Sequence, residues 1–156
     1  MMSDWGEDEL DPTDVDGAAV DEATGEVVDE EPAPEPSLYY GSVDEFLREY
    51  LRSVYRRKID GKSRVWAARW WEYDEAVIRL EALWRAWEFL RRDPATGMSV
   101  WWRDHADHHM GVLMDPQGPF AAADAMASEN QCSKGAPLPY ETPPEGLFPD
   151  VRELDG

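Results

Sequence analysis

A mainly α fold, a small three-helix domain between an acidic tail and a Pro-rich tail, is predicted by three observations. Apolar side chains recur at helical spacing in three separate stretches, no stretch alternates convincingly at period two, and no internal repeat is visible at a period of ~20–50 residues. The ends also differ in composition from the middle: residues 1–37 hold 14 of the 34 acidic side chains and no Lys or Arg. The organisation that follows is a disordered acidic tail over 1–37, a Trp-rich helical domain over 38–120, and an Ala- and Pro-rich irregular tail over 121–156 that wraps loosely.

The first 37 residues combine Asp, Glu, Gly and Pro with few large apolar side chains and end in Pro32-Ala33-Pro34-Glu35-Pro36. Such a segment cannot bury enough surface to offset its ordering entropy. It reads as a solubility tail, or as an acidic peptide for a basic patch. Without it the chain carries 20 acidic and 15 basic side chains, an ordinary balance for a soluble domain.

The first helix is predicted from Ser42-Val43-Asp44-Glu45, a capping box in which the serine oxygen takes the Glu45 amide and the Glu45 carboxylate returns to Ser42. Val43, Phe46, Leu47, Tyr50, Leu51 and Val54 then share one face, with Arg48, Arg52 and Arg56 opposite. From Arg56 to Arg69 there are six basic residues and one acidic, and Asp60-Gly61 signals a turn, so an exposed basic loop is expected.

The second helix is predicted over 74–92, with acids at its start, arginines at its end, and Pro94 and Gly97 to stop it. Ala76, Val77, Leu80, Leu83, Trp84, Trp87 and Leu90 form its core side. Glu75/Arg79, Glu81/Arg85 and Glu88/Arg92, each four apart, read as pairs on its wet side. A third helix, capped by Ser99 and ending before Pro116, carries the stripe Trp101, Trp102, His105, His109, Val112 and Leu113.

No run approaches the roughly 20 apolar residues that span a bilayer, and the N-terminus lacks the basic and apolar parts of a signal peptide, which points to the cytoplasm and away from membranes. Cys132, the one cysteine, has no partner for an intramolecular disulfide or a CxxC zinc knuckle.

Four stretches carry a family resemblance: Tyr40-Gly-Ser-Val-Asp-Glu-Phe46, Arg69-Trp-Trp-Glu72, Arg79-Leu-Glu-Ala-Leu-Trp-Arg-Ala-Trp-Glu88, and Gly97-Met-Ser-Val-Trp-Trp-Arg-Asp-His-Ala-Asp-His-His109. Over about residues 39–120 the chain resembles an uncharacterised actinobacterial domain family of unknown function. Its members are often encoded near plasmid, phage or integrative-element genes. The resemblance implies a host group and a mobile-element setting, and no reaction.

Phosphate-binding loops, a nucleophile elbow and a dinucleotide fingerprint are absent from the sequence, so no enzyme and no cofactor is expected. Two features remain as candidate sites. Seven of the eight tryptophans lie between Trp66 and Trp102. Trp66, Trp70 and Trp71 adjoin the basic loop, where they either close the core or stand exposed as a protein interface. The favoured expectation is a non-catalytic adaptor that docks a protein partner through Trp66, Trp70 and their basic surroundings. Nucleic acid is the alternative partner, with Arg48, Arg52, Arg56, Arg57, Lys58, Lys62 and Arg64 on phosphates and indoles on bases.

The second feature is Asp104-His105-Ala106-Asp107-His108-His109. His105 and His109, four apart on a helix, could present two imidazoles to a divalent metal, but Ala106 stands where a zincin carries its general base and no third ligand is fixed by local spacing. The other reading is that both histidines pack beside Trp101 and Trp102 and bond to a carbonyl or carboxylate.

Overall fold

Three principal helices and one short one make up the computed structural model, which describes residues 37–154. The expected disordered tail therefore lies, except for Ser37, outside the described residues. Helix α1 (43–54) is built from Val43–Phe46, Leu47–Leu51 and Arg52–Val54, α2 is Asp74–Leu90, α3 (97–114) is built from Gly97–Val100, Trp101–Ala106 and Asp107–Met114, and α4 is Val151–Leu154. The described residues hold no strand. A single antiparallel bridge joins Ile59 to Cys132.

The start of α1 follows from its sequence: Ser42 Oγ accepts the Glu45 amide hydrogen at 3.0 Å. The return bond differs from the expected capping box, because the Glu45 carboxylate accepts from the Gly41 amide at 2.7 Å, one residue earlier. Helix α2 starts at Asp74 as expected and stops two residues short of Arg92. Ser99 does not cap α3, which begins at Gly97. The Asp93 carboxylate instead gathers the Ala95 and Thr96 amides and the Thr96 hydroxyl and folds the turn that launches the helix. A Cβ on Gly97 would lie 1.9 Å from the Leu90 carbonyl oxygen, so only glycine lets α3 start this close to the end of α2.

Both α1 and α3 contain a π-helical segment, Leu47–Leu51 and Trp101–Ala106. A π turn accommodates one extra residue, so the buried stripe steps by five instead of four. In α1 the step runs from Phe46 to Leu51, after which Tyr55 is buried and Val54 is turned out to 38% exposure. In α3 it runs from Trp101 to Ala106 and on to Met110, Leu113 and Met114. The predicted stripe through His105, His109 and Val112 is thus displaced by one residue, and these three lie at the margin of the core.

Helix α2 packs against both others and contributes Ala76, Leu80, Leu83, Trp84 and Trp87 to the core. Tyr40, Phe46, Tyr50, Trp87 and Trp101 form an aromatic cluster with centroids 4.9–6.3 Å apart where the three helices meet. Such pairs add about 0.5–1.5 kcal/mol each beyond area burial.

The segment after residue 120 is not a loose tail. Phe120, Leu138 and Pro143 are buried, and Phe148 stacks on Trp70 at 5.1 Å. Its backbone is fastened by bonds between Cys132 and Ile59, Leu138 N and Arg52 O, Glu141 N and Ala68 O, and Val151 N and Gly41 O, all 2.9–3.2 Å. The boundary expected at residue 120 is therefore absent: residues 37–154 share one core, and the last part is a strap across α1 and the 57–69 segment.

Candidate functional site

Of the predicted basic patch, one part is committed to holding the fold. Arg52 donates to the Leu138 carbonyl at 2.9 Å and lies over the Tyr140 ring, and Arg56 donates to the Gly135 carbonyl at 2.8 Å. Arg48 pairs with Asp44 at 2.7 Å and with Glu49 at 3.0 Å. Arg52 and Arg56 are thus the seat of the strap, held through carbonyl oxygens that no charge pattern in the sequence reveals, while Arg48 is tied to carboxylates of its own helix.

Trp66 and Trp70 are not exposed. Both are at 0% exposure, with the Trp66 indole N–H donating to the Pro139 carbonyl at 3.0 Å. Val65, Ala67 and Ala68 are buried as well, so the second half of the expected exposed loop is core. The strap supplies the cover: the Pro139 carbonyl takes the Trp66 indole N–H and the Phe148 ring stacks on Trp70. Trp71 is half-buried, edge-on to Trp70 and under the Arg69 guanidinium.

What remains outside is the loop from Lys58 to Arg64. The Asp60 carboxylate accepts from the amides of Lys62, Ser63 and Arg64 and from the Ser63 hydroxyl, all within 3.2 Å. These donors hold its carboxyl well below the ordinary aspartate range. Gly61 completes the turn at φ +78°, a left-handed conformation that favours glycine. Lys58, Lys62 and Arg64 project outward from this rigid turn. Beside it an open cavity of about 410 Å³ is lined by Tyr55, Arg57, Ser63, Arg64, Gly111, Met114, Asp115 and Pro116. Arg57 lies 4.2 Å over the Tyr55 ring, and Tyr55 stacks on Trp102 and donates to Asp107 at 3.1 Å.

His105 and His109 sit at the edge of the core. His109 Nδ1 accepts from the Arg79 guanidinium at 3.0 Å, and partial burial, then that positive charge, lowers its pKa. Among the described residues no group of three His, Cys, Asp or Glu side chains is placed to hold a metal ion. Cys132 Sγ donates to the Arg57 carbonyl at 3.3 Å, and burial pushes its thiol up from the ordinary value, which keeps it a poor nucleophile.

Two features escape the sequence reading. Glu88 does not pair with Arg92: it is buried, and its carboxylate takes four donors, the Tyr39 and Tyr40 amides at 2.8 Å and Trp84 Nε1 and Arg91 Nε at 3.1 Å. The wet side of α2 is also interrupted. Ile78 is 67% and Phe89 65% exposed, with exposed Ala82 and Arg85 between them. Ile78, Glu81, Ala82 and Arg85 line a recess of about 340 Å³. The signal was present as two large apolar residues among Glu and Arg, but the charged pairs masked it. Glu75/Arg79 is the one of the three expected pairs that forms, at 2.9 Å, while Arg85 lies over Trp84 and Arg92 over Phe89.

Among the described residues no helix is long and apolar enough to cross a membrane. Comparison with the curated proteins and with the solved structures finds no match. The sequence pattern of DUF4913, a domain of unknown function, matches residues 40–144, two thirds of the chain and most of the strap, and the chain belongs to that family.

Proposed function

We propose that this chain is a non-catalytic protein-interaction module, and that it docks an amphipathic helix on the outer face of α2. The observation that carries the reading is the stripe Ile78, Ala82, Arg85, Phe89 on α2, with both large apolar residues about two-thirds exposed. Single exposed apolar residues are ordinary. Two on one stripe, with the small Ala82 beside a recess and Arg85 between them, match the way a helix accepts another helix. The reading takes the module to be a cytoplasmic accessory protein of an actinobacterial mobile element, a setting that rests on the sequence resemblance. It is tested by capturing partners with the full chain and with Ile78→Asp and Phe89→Asp. The variants should keep their helical circular dichroism and lose the partner, and a partner retained by both removes this face from the proposal.

A second reading is favoured by the Asp60 turn, which holds the backbone of Lys62 and Arg64 beside the Tyr55 cavity, with Lys58 exposed next to it. Three or four such cations suit a phosphate backbone, and nucleic-acid affinity would then fall with salt at a log–log slope of about −2 to −3 for a single strand. Removing residues 1–37, which carry 14 acidic side chains, should strengthen it. An oligonucleotide titration with no salt dependence would sink this reading.

A further inference from the structure

We infer that the helix received by the outer face of α2 is α2 of a second copy of this chain, packed antiparallel about a two-fold axis; this deepens the interaction reading and rests on it. The exposed stripe reads Glu75, Ile78, Ala82, Arg85 and Phe89, followed by Arg92 in the turn just past the helix end, with spacings of 3, 4, 3, 4 and 3, the alternation that keeps one seam facing a partner helix. Glu75, Arg85 and Arg92 are exposed, as are the apolar members.

This order is self-complementary when reversed. A two-fold axis midway between Ala82 and Arg85 sets Ile78 of each copy against Phe89 of the other. The same axis sets the small Ala82 against the long Arg85, and Glu75 against Arg92. Each contact occurs twice, as an isologous interface requires. A parallel pairing would instead set Glu75 on Glu75, Arg85 on Arg85 and Arg92 on Arg92. Glu75 already pairs with Arg79 within its own chain at 2.9 Å, and Arg92 lies 5.1 Å over the Phe89 ring, so the second copy would bridge groups that are already held in place.

One face of a 17-residue helix, ~25 Å long, buries less than the ~800 Å² per partner of a standard interface. Each chain also carries a net charge of −19. Both facts call for a weak, concentration-dependent dimer, best measured at physiological salt where repulsion between copies is screened.

The test is sedimentation equilibrium of the full chain from ~10 µM to ~1 mM, a range suited to an interface below standard size. The expected result is an average mass that climbs from the monomer value toward twice it. Ile78→Asp should hold the mass at the monomer value with its circular dichroism unchanged. Glu75→Arg and Arg92→Glu should each weaken association about tenfold, by setting like charges together at both ends. An equimolar mixture of these two variants should associate nearly as well as wild type, because the heterodimer regains both opposite-charge pairs. Failure of the mixture to recover, with wild type dimeric, overturns the antiparallel register. A wild-type mass that stays monomeric throughout overturns the inference. If Ile78→Asp nevertheless loses a helical partner in the capture experiment, the interaction reading stands without it; if it changes neither, both fall.

Discussion

The Glu88 carboxylate is the most informative place to perturb this fold, because each of its oxygens serves two donors. Oε1 accepts from the Tyr39 amide and Arg91 Nε, and Oε2 from the Tyr40 amide and Trp84 Nε1. Glu88→Gln preserves shape but turns one acceptor into a donor, so one of these pairs must face an N–H₂ group. The cheaper orientation sets the amide nitrogen toward Tyr39 and Arg91, since Tyr39 is 60% exposed and water can take over its amide. Two charge-assisted bonds are lost on a partly solvated side, which costs about 2–3 kcal/mol. Glu88→Ala removes all four acceptor positions, strands the buried Tyr40 amide and Trp84 N–H, and opens space beside the aromatic cluster, for a cost of about 4–5 kcal/mol. The assay is urea unfolding at neutral pH, followed by tryptophan fluorescence and far-ultraviolet circular dichroism, with the midpoint shift read at constant slope. A Glu88→Gln protein within about 0.5 kcal/mol of wild type, or an alanine variant no worse than the glutamine one, would show that the carboxylate does not organise the entry to α1 as described.

Other measurements address other parts of the structure. Trp66→Ala should cost about 3–5 kcal/mol and unfold the chain broadly instead of removing one binding surface, checked by thermal melting. Arg52→Ala should free the strap locally, so that hydrogen exchange rises several-fold at the Leu138 and Glu141 amides while those of α2 keep their protection. Asp60→Ala should make the Lys58–Arg64 loop a markedly faster site of tryptic cleavage, whereas Asp60→Asn, which still offers an acceptor oxygen, should not. His109 has a lowered folded-state pKa, so the unfolded chain takes up its proton first and stability must fall as pH drops below the ordinary histidine value of about 6.5. His109→Gln should remove that component between neutral and mildly acidic pH, and an unchanged pH profile would contradict the burial assigned to the ring. At the other extreme, burial pushes the Tyr40 phenol up to about 12, so stability should decline as pH rises above 10.0, where the unfolded phenol ionises first.

The three helices were legible in the sequence because their apolar spacing is strong and Ser42 and Asp74 begin them in familiar ways. The faces were less legible, because hydropathy fixes a phase only while the number of residues per turn stays constant. Each π segment shifts that phase by one residue, which is why Val54 and Tyr55 exchange places and why His105 and His109 do not share the seam of Trp101. The sequence leads to a tail that wraps loosely, with Leu147 and Phe148 as anchors, and the close packing of the strap is hidden for a different reason. Its contribution comes through backbone oxygens at Gly135, Leu138 and Pro139 and through scattered anchors, and neither leaves a periodic trace. Without that cover the sequence leaves Trp66 and Trp70 open between a lid on the core and an exposed interface, and the arginines that hold the cover read as a patch for an outside partner. Glu88 was misplaced by a local rule: a glutamate four residues before an arginine looks like a surface pair, and only the return of Tyr39 and Tyr40 over α2 turns it inward.

The bond from the Val151 amide to the Gly41 carbonyl, with Arg152 donating to the Tyr39 carbonyl at 2.8 Å and reaching Glu45, brings the first and last described turns side by side. Topologically the fold is therefore a nearly closed ring. A short linker from 154 to 37, with new ends cut between Lys62 and Ser63, would give a circularly permuted chain that retains every buried contact and merely changes the order in which they are made.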